Sequence, residues 1–193
     1  MTNADLPFTI IDLASATDAQ REEAARLLHD EFNQEKWGFS WPELDEAREE
    51  VADLCNPEHI CRAAVDTDGH VLGWVGGLPE YDGNVWELHP IVVSPHLRGK
   101  GLGRALVVDL EDQVRQRGGL TVMLGSDDHS EMTSLGGANL YENLWDKINN
   151  IQNYKDHPYS FYFAVGYVII GVMPDANGPG KPDIFLGKSL IQP

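Results

Sequence analysis

Residues 85–104 read VWELHPIVVSPHLRGKGLGR, and this stretch decides how the rest of the chain is read. Its first part, VWELHPIVV (85–93), is rich in apolar, aromatic and β-branched residues, the pattern of a buried strand. Burying a carboxylate without compensation is costly. Glu87 and His89 therefore need a reason other than packing. The second part, RGKGLGR (98–104), sets glycines and cations ahead of an amphipathic helical run, ALVVDLEDQVRQRG. A Walker A loop needs Ser or Thr after Gly-Lys, and here Gly101 follows Gly99-Lys100. A Rossmann fingerprint counted from Gly99 needs a glycine where Arg104 stands. What remains is Arg-x-x-Gly-x-Gly at a strand-to-helix junction. Glycines let backbone N–H groups crowd a pyrophosphate without Cβ interference, and the helix dipole favours an anion at its N-terminus. Arg98, Lys100 and Arg104 add local positive charge.

That charge contrasts with the whole chain. Its 193 residues carry 31 acidic and 14 basic side chains, a formal net charge of −17. Such a chain repels nucleic acid and anionic membranes and attracts cationic small molecules; a solvated acidic surface is the plainer reading. The length fits one domain over residues 1–193. No apolar run approaches the ~18 residues of a membrane span, and MTNADLPFTIIDL lacks the basic start of a signal peptide. Cys55 and Cys61 flank His59 at a spacing unlike zinc sites, so no metal is expected. Two thiols without a secretory signal suggest the cytoplasm.

Working outward, FTIIDL (8–13) reads as a strand, and Asp18 is placed to cap a helix running to Phe32. Pro42 suits the first turn of a second, acidic helix over 41–55. HICRAAV (59–65) and HVLGWVGGL (70–78) form a hairpin, followed by VWELHPIVV. After the glycine turn and its helix come a strand (120–126), a helix over 138–151, a short helix (159–166) and strands at 167–173 and 183–190. The pattern predicts a mixed α/β sheet flanked by helices. Strand alternation puts Glu87, His89 and Ile91 on one face, and Pro90, which has no N–H, marks a bulge where regular pairing stops.

The glycine motif after a Val-Val strand, together with a later FY-x3-GY, resembles the acetyl-CoA site of the GNAT superfamily of N-acetyltransferases. LPEYDGNVWELHPIVV, RGGLTVMLGSDD, LYENLWDKINNIQN, HPYSFYFAVGYVIIGVMPDANGPGKPDI and LGKSL resemble one branch, the aminoglycoside 6′-N-acetyltransferases. FNQEKWGFSWPE and NPEHICRAAVD look related. The resemblance implies the GNAT fold, a mostly antiparallel mixed sheet with two strands splayed at the acetyl-CoA site. It implies acetyl-CoA as cosubstrate and a homodimer. It also implies pyrophosphate contacts from Arg98, Gly99, Lys100, Gly101, Leu102, Gly103 and Arg104, and pantetheine contacts from Ile91, Val92 and Val93. Lys155 and Pro158 depart from the general GNAT pattern, as they do in the aminoglycoside branch.

Acetyl transfer to an amine needs a proton acceptor, a donor to the thioester oxygen and a proton for the leaving thiolate. Glu87 suits the first role, through water, and the resemblance assigns it the same. The Ile91 N–H suits the second. Tyr162, in SFYFAVGY, matches the tyrosine that GNAT proteins aim at the CoA sulfur. His89 either relays the proton or is a structural histidine orienting its neighbours. Asp127 and Asp128 are expected to bind the acceptor's ammonium groups, with loop capping as the other reading. Trp37, Trp41 and Tyr81 are expected to wall the acceptor pocket. The expected acceptor is an aminoglycoside; another amine (a polyamine, peptide or lysine side chain) would use the same site. A non-catalytic acetyl-CoA sensor would keep RGKGLGR without needing Glu87 and Tyr162 together.

Overall fold

The computed structural model of the protein describes residues 7–191. The chain runs β1 (Thr9–Asp12), α1 (Asp18–Phe32), α2 (Leu44–Leu54), β2 (Ile60–Val65), β3 (Val71–Glu80), β4 (Val85–Val93), α3 (Leu102–Gln116), β5 (Thr121–Asp127), α4 (Leu144–Asn149), α5 (Tyr159–Ala164), β6 (Val168–Met173) and β7 (Asp183–Ser189). The strands form one sheet in the order β1-β2-β3-β4-β5-β7-β6. Every pair is antiparallel except β4 with β5. This is the mixed, mostly antiparallel sheet expected of a GNAT fold. The expected single domain extends to residues 1–6 and 192–193, which lie outside the described residues.

Two apolar clusters hold the layers together. Leu102, Leu106, Val107, Leu110 and Val114 of α3 pack on Trp86, Leu88, Val122, Leu124, Ile184 and Leu186. On the opposite face Ala24, Ala25 and Leu28 of α1 and Ala47, Val51 and Leu54 of α2 pack on Cys61, Ala63, Trp74 and Val92. Each fully buried aliphatic side chain contributes about 1.5–3 kcal/mol from water exclusion.

Several boundaries differ from the sequence expectation. Thr17, not Asp18, caps α1: its hydroxyl accepts from the Gln20 N–H, and the Gln20 side chain accepts from the Thr17 N–H at 3.1 Å. Glu43 and Glu46 form the same reciprocal box at α2, leaving Pro42 outside the helix. The expected helix over 138–151 shrinks to α4, because Asn139 Oδ1 takes the Tyr141 N–H at 3.1 Å and a left-handed Asn143 (φ 50°) precedes the helix.

The expected bulge lies at Pro90. Gly77 pairs with Leu88 and Val75 with Ile91, so Gly76 alone stands opposite both His89 and Pro90. The His89–Pro90 peptide is cis. The extra residue changes which side chains share a face. Leu88, Ile91 and Val93 all pack toward the α3 cluster, whereas Val92 packs toward α1 and α2. Strict alternation had grouped Ile91 with Glu87 and His89; the bulge puts it on the other face.

A Cβ at Gly76 would stand 2.2 Å from the His89 carbonyl oxygen and 2.8 Å from the Leu54 side chain. Backbone and a packed helix cannot both give way. Gly76→Ala is expected to cost at least about 2 kcal/mol in urea unfolding. Gly171→Ala, whose Cβ would meet only Phe185 at 3.9 Å, is the control and should stay within about 0.5 kcal/mol of wild type.

Candidate active site

The site begins where β4 leaves β5. Their parallel pairing covers Val85↔Thr121, Trp86↔Val122 and Glu87↔Met123, and ends there. Beyond it β4 keeps only β3, while β5 keeps only β7. A cavity of about 1160 Å³ follows the gap, lined by Leu88–Val93 on one side and Gly125, Ser126 and Asp127 on the other. It runs from Trp37 and Trp41 past Tyr162 to Arg98, Gly99, Gly101, Gly103 and Arg104.

The glycine turn is built to receive an anion. Gly99 (φ 72°) and Gly101 (φ 90°) are left-handed, and nothing lies within 4 Å of where a Cβ would stand on either. Gly101 precedes α3 with no side-chain cap, so the first N–H groups of a 15-residue helix lack an intrahelical partner. These residues fit the pyrophosphate of a coenzyme A ester. The cations are arranged differently from a simple positive ring. Arg98 pairs with Glu31 of α1, and Arg104 donates to the Ala164 carbonyl at the end of α5 at 2.6 Å. Lys100 is exposed at the turn and does not line the cavity. Leu102 places its side chain in the core, leaving only its backbone toward an anion.

At the middle of the gap stands Tyr162. Its ring packs edge-on to Phe161 and Tyr167, at 5.2 and 5.9 Å between centroids. Burial pushes the phenol well above its usual range, so it carries its proton at neutral pH and can donate it.

The other end is aromatic and acidic. Phe32, Trp37 and Trp41 form a cluster with ring centroids 5.2 and 6.0 Å apart. His89 lies 5.9 Å from the Trp41 ring and 3.7 Å from the Glu50 carboxylate of α2, beyond hydrogen-bond range. Glu87 is half-buried and does not line the cavity. It projects from the sheet face that carries Leu78 and Met123 beside it. Asp127 lines the cavity and accepts a hydrogen bond from Asn177.

Two expected acceptor contacts are corrected. Asp128 is fully buried (0 % exposed): it accepts from the Met132 N–H at 2.6 Å, the Thr133 N–H at 2.9 Å and the Thr133 hydroxyl at 2.8 Å. It closes a loop and has no face left for a substrate. Tyr81 is 73 % exposed on the β3–β4 turn, outside the cavity.

Three polar residues at the site are not among the expected site residues, although Lys155 stands out in the sequence as a departure from the general GNAT pattern. Glu31 reaches the cavity because it falls on the buried stripe Ala24, Leu28, Glu31 of α1; the spacing alone could have flagged it. Lys155 lines the cavity and donates to the Ser130 carbonyl at 2.7 Å. Asp183 stands directly across from Asp127 on β7, and one of its carboxylate oxygens is buried without a partner. Burial, with the charges of Asp127 and Glu87, pushes its pKa up to about 6. Only the β5–β7 register brings these acids together, and a single sequence carries no sign of it.

A splayed parallel pair beside an uncapped glycine turn is an arrangement that can hold the pyrophosphate and arm of a coenzyme A thioester. Residues 22–144 match the Acetyltransferase (GNAT) family, and the chain belongs to that family. Among solved structures it is similar to an aminoglycoside 6′-N-acetyltransferase complexed with coenzyme A, at 40 % identity and a TM-score of 0.87 over 96 % of this chain and 98 % of that one. It is also similar to the aminoglycoside 6′-N-acetyltransferase from Enterococcus faecium, at 39 % identity and a TM-score of 0.86 over 96 % and 98 %. A mycothiol acetyltransferase of Stackebrandtia nassauensis is 36 % identical over 90 residues, 46 % of this chain; the match spans 29 % of that relative's length. The coenzyme A in the first structure is consistent with acetyl-CoA as this enzyme's cosubstrate.

The glycine turn offers a direct test. Gly101→Val would force a branched side chain into a left-handed position and into the space above the free N–H groups. Titration calorimetry should give an acetyl-CoA Kd raised at least about tenfold, with circular dichroism unchanged.

Proposed function

We propose that this acetyltransferase moves the acetyl group of acetyl-CoA directly to the 6′-amino group of an aminoglycoside, in a ternary complex. The observation that carries the reading is the grouping of Glu87, Asp127 and Asp183 on one sheet face, beside a gap whose far end is an amide cradle for phosphate. Like charges directly across a strand pair are destabilising. A polycation neutralises them, and an aminoglycoside presents several ammonium groups on a rigid sugar frame. The two similar solved structures described as aminoglycoside 6′-N-acetyltransferases, matched over nearly the whole of both chains, support the same acceptor.

An ammonium entering the acidic end loses its proton through water to Glu87. The free amine nitrogen attacks the thioester carbonyl carbon, forming the C–N bond. The Ile91 N–H, just past the bulge and beyond the end of the β4–β5 pairing, donates to the developing oxyanion. The C–S bond then breaks as the carbonyl re-forms; Tyr162 gives the leaving thiolate a proton, and the surplus proton on the new amide nitrogen leaves through water and restores the phenol. His89, beside Trp41 and Glu50, borders this path and forms part of the acceptor wall. Trp37 and Trp41 face the sugar rings. A homodimer belongs to the same proposal and is read by sedimentation equilibrium.

Thiol release from acetyl-CoA is measured with kanamycin, spermidine and a lysine peptide in parallel. Turnover should be fastest on kanamycin, by at least about tenfold in kcat/KM. Turnover on the peptide alone would end the aminoglycoside reading. Glu87→Gln should lower kcat by about 10²–10⁴-fold while the acetyl-CoA Kd holds.

Acceptor binding should also depend on pH. Asp183 is neutral below about pH 6 and charged above it. A cation prefers the charged form, so aminoglycoside affinity should strengthen about tenfold as pH rises through that value. Asp183→Asn should bind more weakly at neutral pH and lose most of the dependence. An unchanged pH profile in that variant would remove Asp183 from the acceptor site.

A further inference from the structure

His157 is 1 % exposed, in the loop ahead of α5, and does not line the cavity. Yet its ring hydrogen-bonds the backbone of both the strand end that carries Asp127 and the helix that carries Tyr162. Nδ1 accepts the Tyr159 N–H at 3.2 Å, in the first turn of the helix that carries Tyr162. An Nδ1 that accepts carries no proton, so the proton sits on Nε2. That Nε2–H donates to the Asp127 carbonyl at 3.2 Å. Asn153 clamps the backbone on both sides, accepting the His157 N–H and donating to the His157 carbonyl, each at 2.8 Å. The Tyr159 ring packs 5.7 Å from the imidazole.

The ring needs to be neutral for this arrangement, since a doubly protonated imidazole cannot accept the Tyr159 N–H. Burial holds its pKa below the usual range, against the opposing pull of Asp128 and Asp127. Tyr159 faces the ring from α5, and Lys155 and Asp156 flank it along the loop.

We infer that His157 is a positioning residue for acetyl transfer: one neutral imidazole sets the acceptor-side Asp127 and the donor-side Tyr162 at a fixed separation. No other described side chain hydrogen-bonds both the β5 end at Asp127 and the start of α5. The inference rests on the acetyl-transfer reading of the site. It adds that the acid and the phenol move as a coupled pair.

Asparagine and glutamine separate the two contacts. Asn at 157 can accept the Tyr159 N–H from two residues away, as in an Asx turn, but is too short to hold Asp127. Gln at 157 reaches Asp127 with its amide N–H₂ but leaves the Tyr159 N–H open. His157→Asn should raise the acceptor KM about tenfold with the acetyl-CoA KM unmoved. His157→Gln should lower kcat about tenfold with the acceptor KM near wild type. His157→Phe, which keeps a ring and loses both contacts, should lower kcat/KM about 100-fold, the scale of a misplacement near 1 Å. Rates are normalised to the folded fraction from circular dichroism. If His157→Phe fails to fold, the Asn and Gln variants carry the test alone. Losses that follow the folded fraction only, or equal effects of Asn and Gln on both parameters, would overturn the proposal. The acceptor is whichever amine the wild-type enzyme acetylates in the parallel assay. Failure of the aminoglycoside reading therefore shows in the wild type, and failure of this one shows in the variants.

Discussion

β4 and β5 share three residue pairs and then part, and the parting has to be stabilised from both sides. Two strands that separate inside a sheet leave N–H and C=O groups facing each other across a gap. Those groups would be costly if dry and unpaired. β3 holds β4 on one flank and β7 holds β5 on the other, so each strand stays in the sheet while its inner edge is free. The bulge opposite Gly76 then turns β4 at the point where its edge opens. The core continues past the bend through Ile91 and Val93, while Glu87 and His89 stay on the acceptor side. The gap is thus a consequence of strand pairing, and its chemistry is what the strand ends happen to carry into it.

The same logic governs the buried charges. Glu111 lies within the α3 stripe, 2 % exposed, and Lys188 of β7 answers it at 2.8 Å to both oxygens. Glu31 lies within the α1 stripe and Arg98 answers it. Such pairs add little net stability over apolar replacements, because desolvation offsets the Coulomb gain. Their value is geometric. Lys188–Glu111 joins the last strand to the helix behind the glycine turn. Glu31–Arg98 joins the acceptor wall to that turn's first residue. Removing Arg98 would leave the buried Glu31 carboxylate without its partner, a larger penalty than the pair is worth intact, whereas Glu111 without Lys188 would keep Arg115 at 3.6 Å.

Most of the fold was legible in the residues. Periodicity marked the strands and the principal helices, and Pro90 marked the bulge. The glycine turn was legible because it failed two stricter motifs and still had the glycines an anion needs. Misreadings came where side chains competed with backbone. Thr17 took the cap expected of Asp18, Glu43 capped α2 and left Pro42 outside the first turn it was expected to open, and Asn139 bent a segment whose composition suits a helix. The site was less legible because cross-strand partners decide it. Asp127 and Asp128 are neighbours in sequence with opposite fates: one faces the cavity, the other is consumed by Thr133. Asp183 is 56 residues beyond Asp127, and only antiparallel register makes them opposites. His157 gave no sign at all, since its role depends on which carbonyl its ring meets.

The charge distribution gains a physical meaning from this geometry. The proposed reaction brings an anionic cosubstrate and a cationic acceptor into one gap of a chain whose own net charge is −17. A ring of unpaired lysines would attract the phosphates but would repel the acceptor a few residues away. Here Arg98 and Arg104 are tied to Glu31 and a helix-end carbonyl, and the anion site is left mainly to backbone N–H groups. Backbone dipoles act at hydrogen-bond range and fall off within a turn of helix. The carboxylates of Glu87, Asp127 and Asp183 can then dominate the potential at the other end. Opposite charges are therefore sorted by the range of the interactions that hold them, with short-range dipoles at the donor end and longer-range charges at the acceptor end.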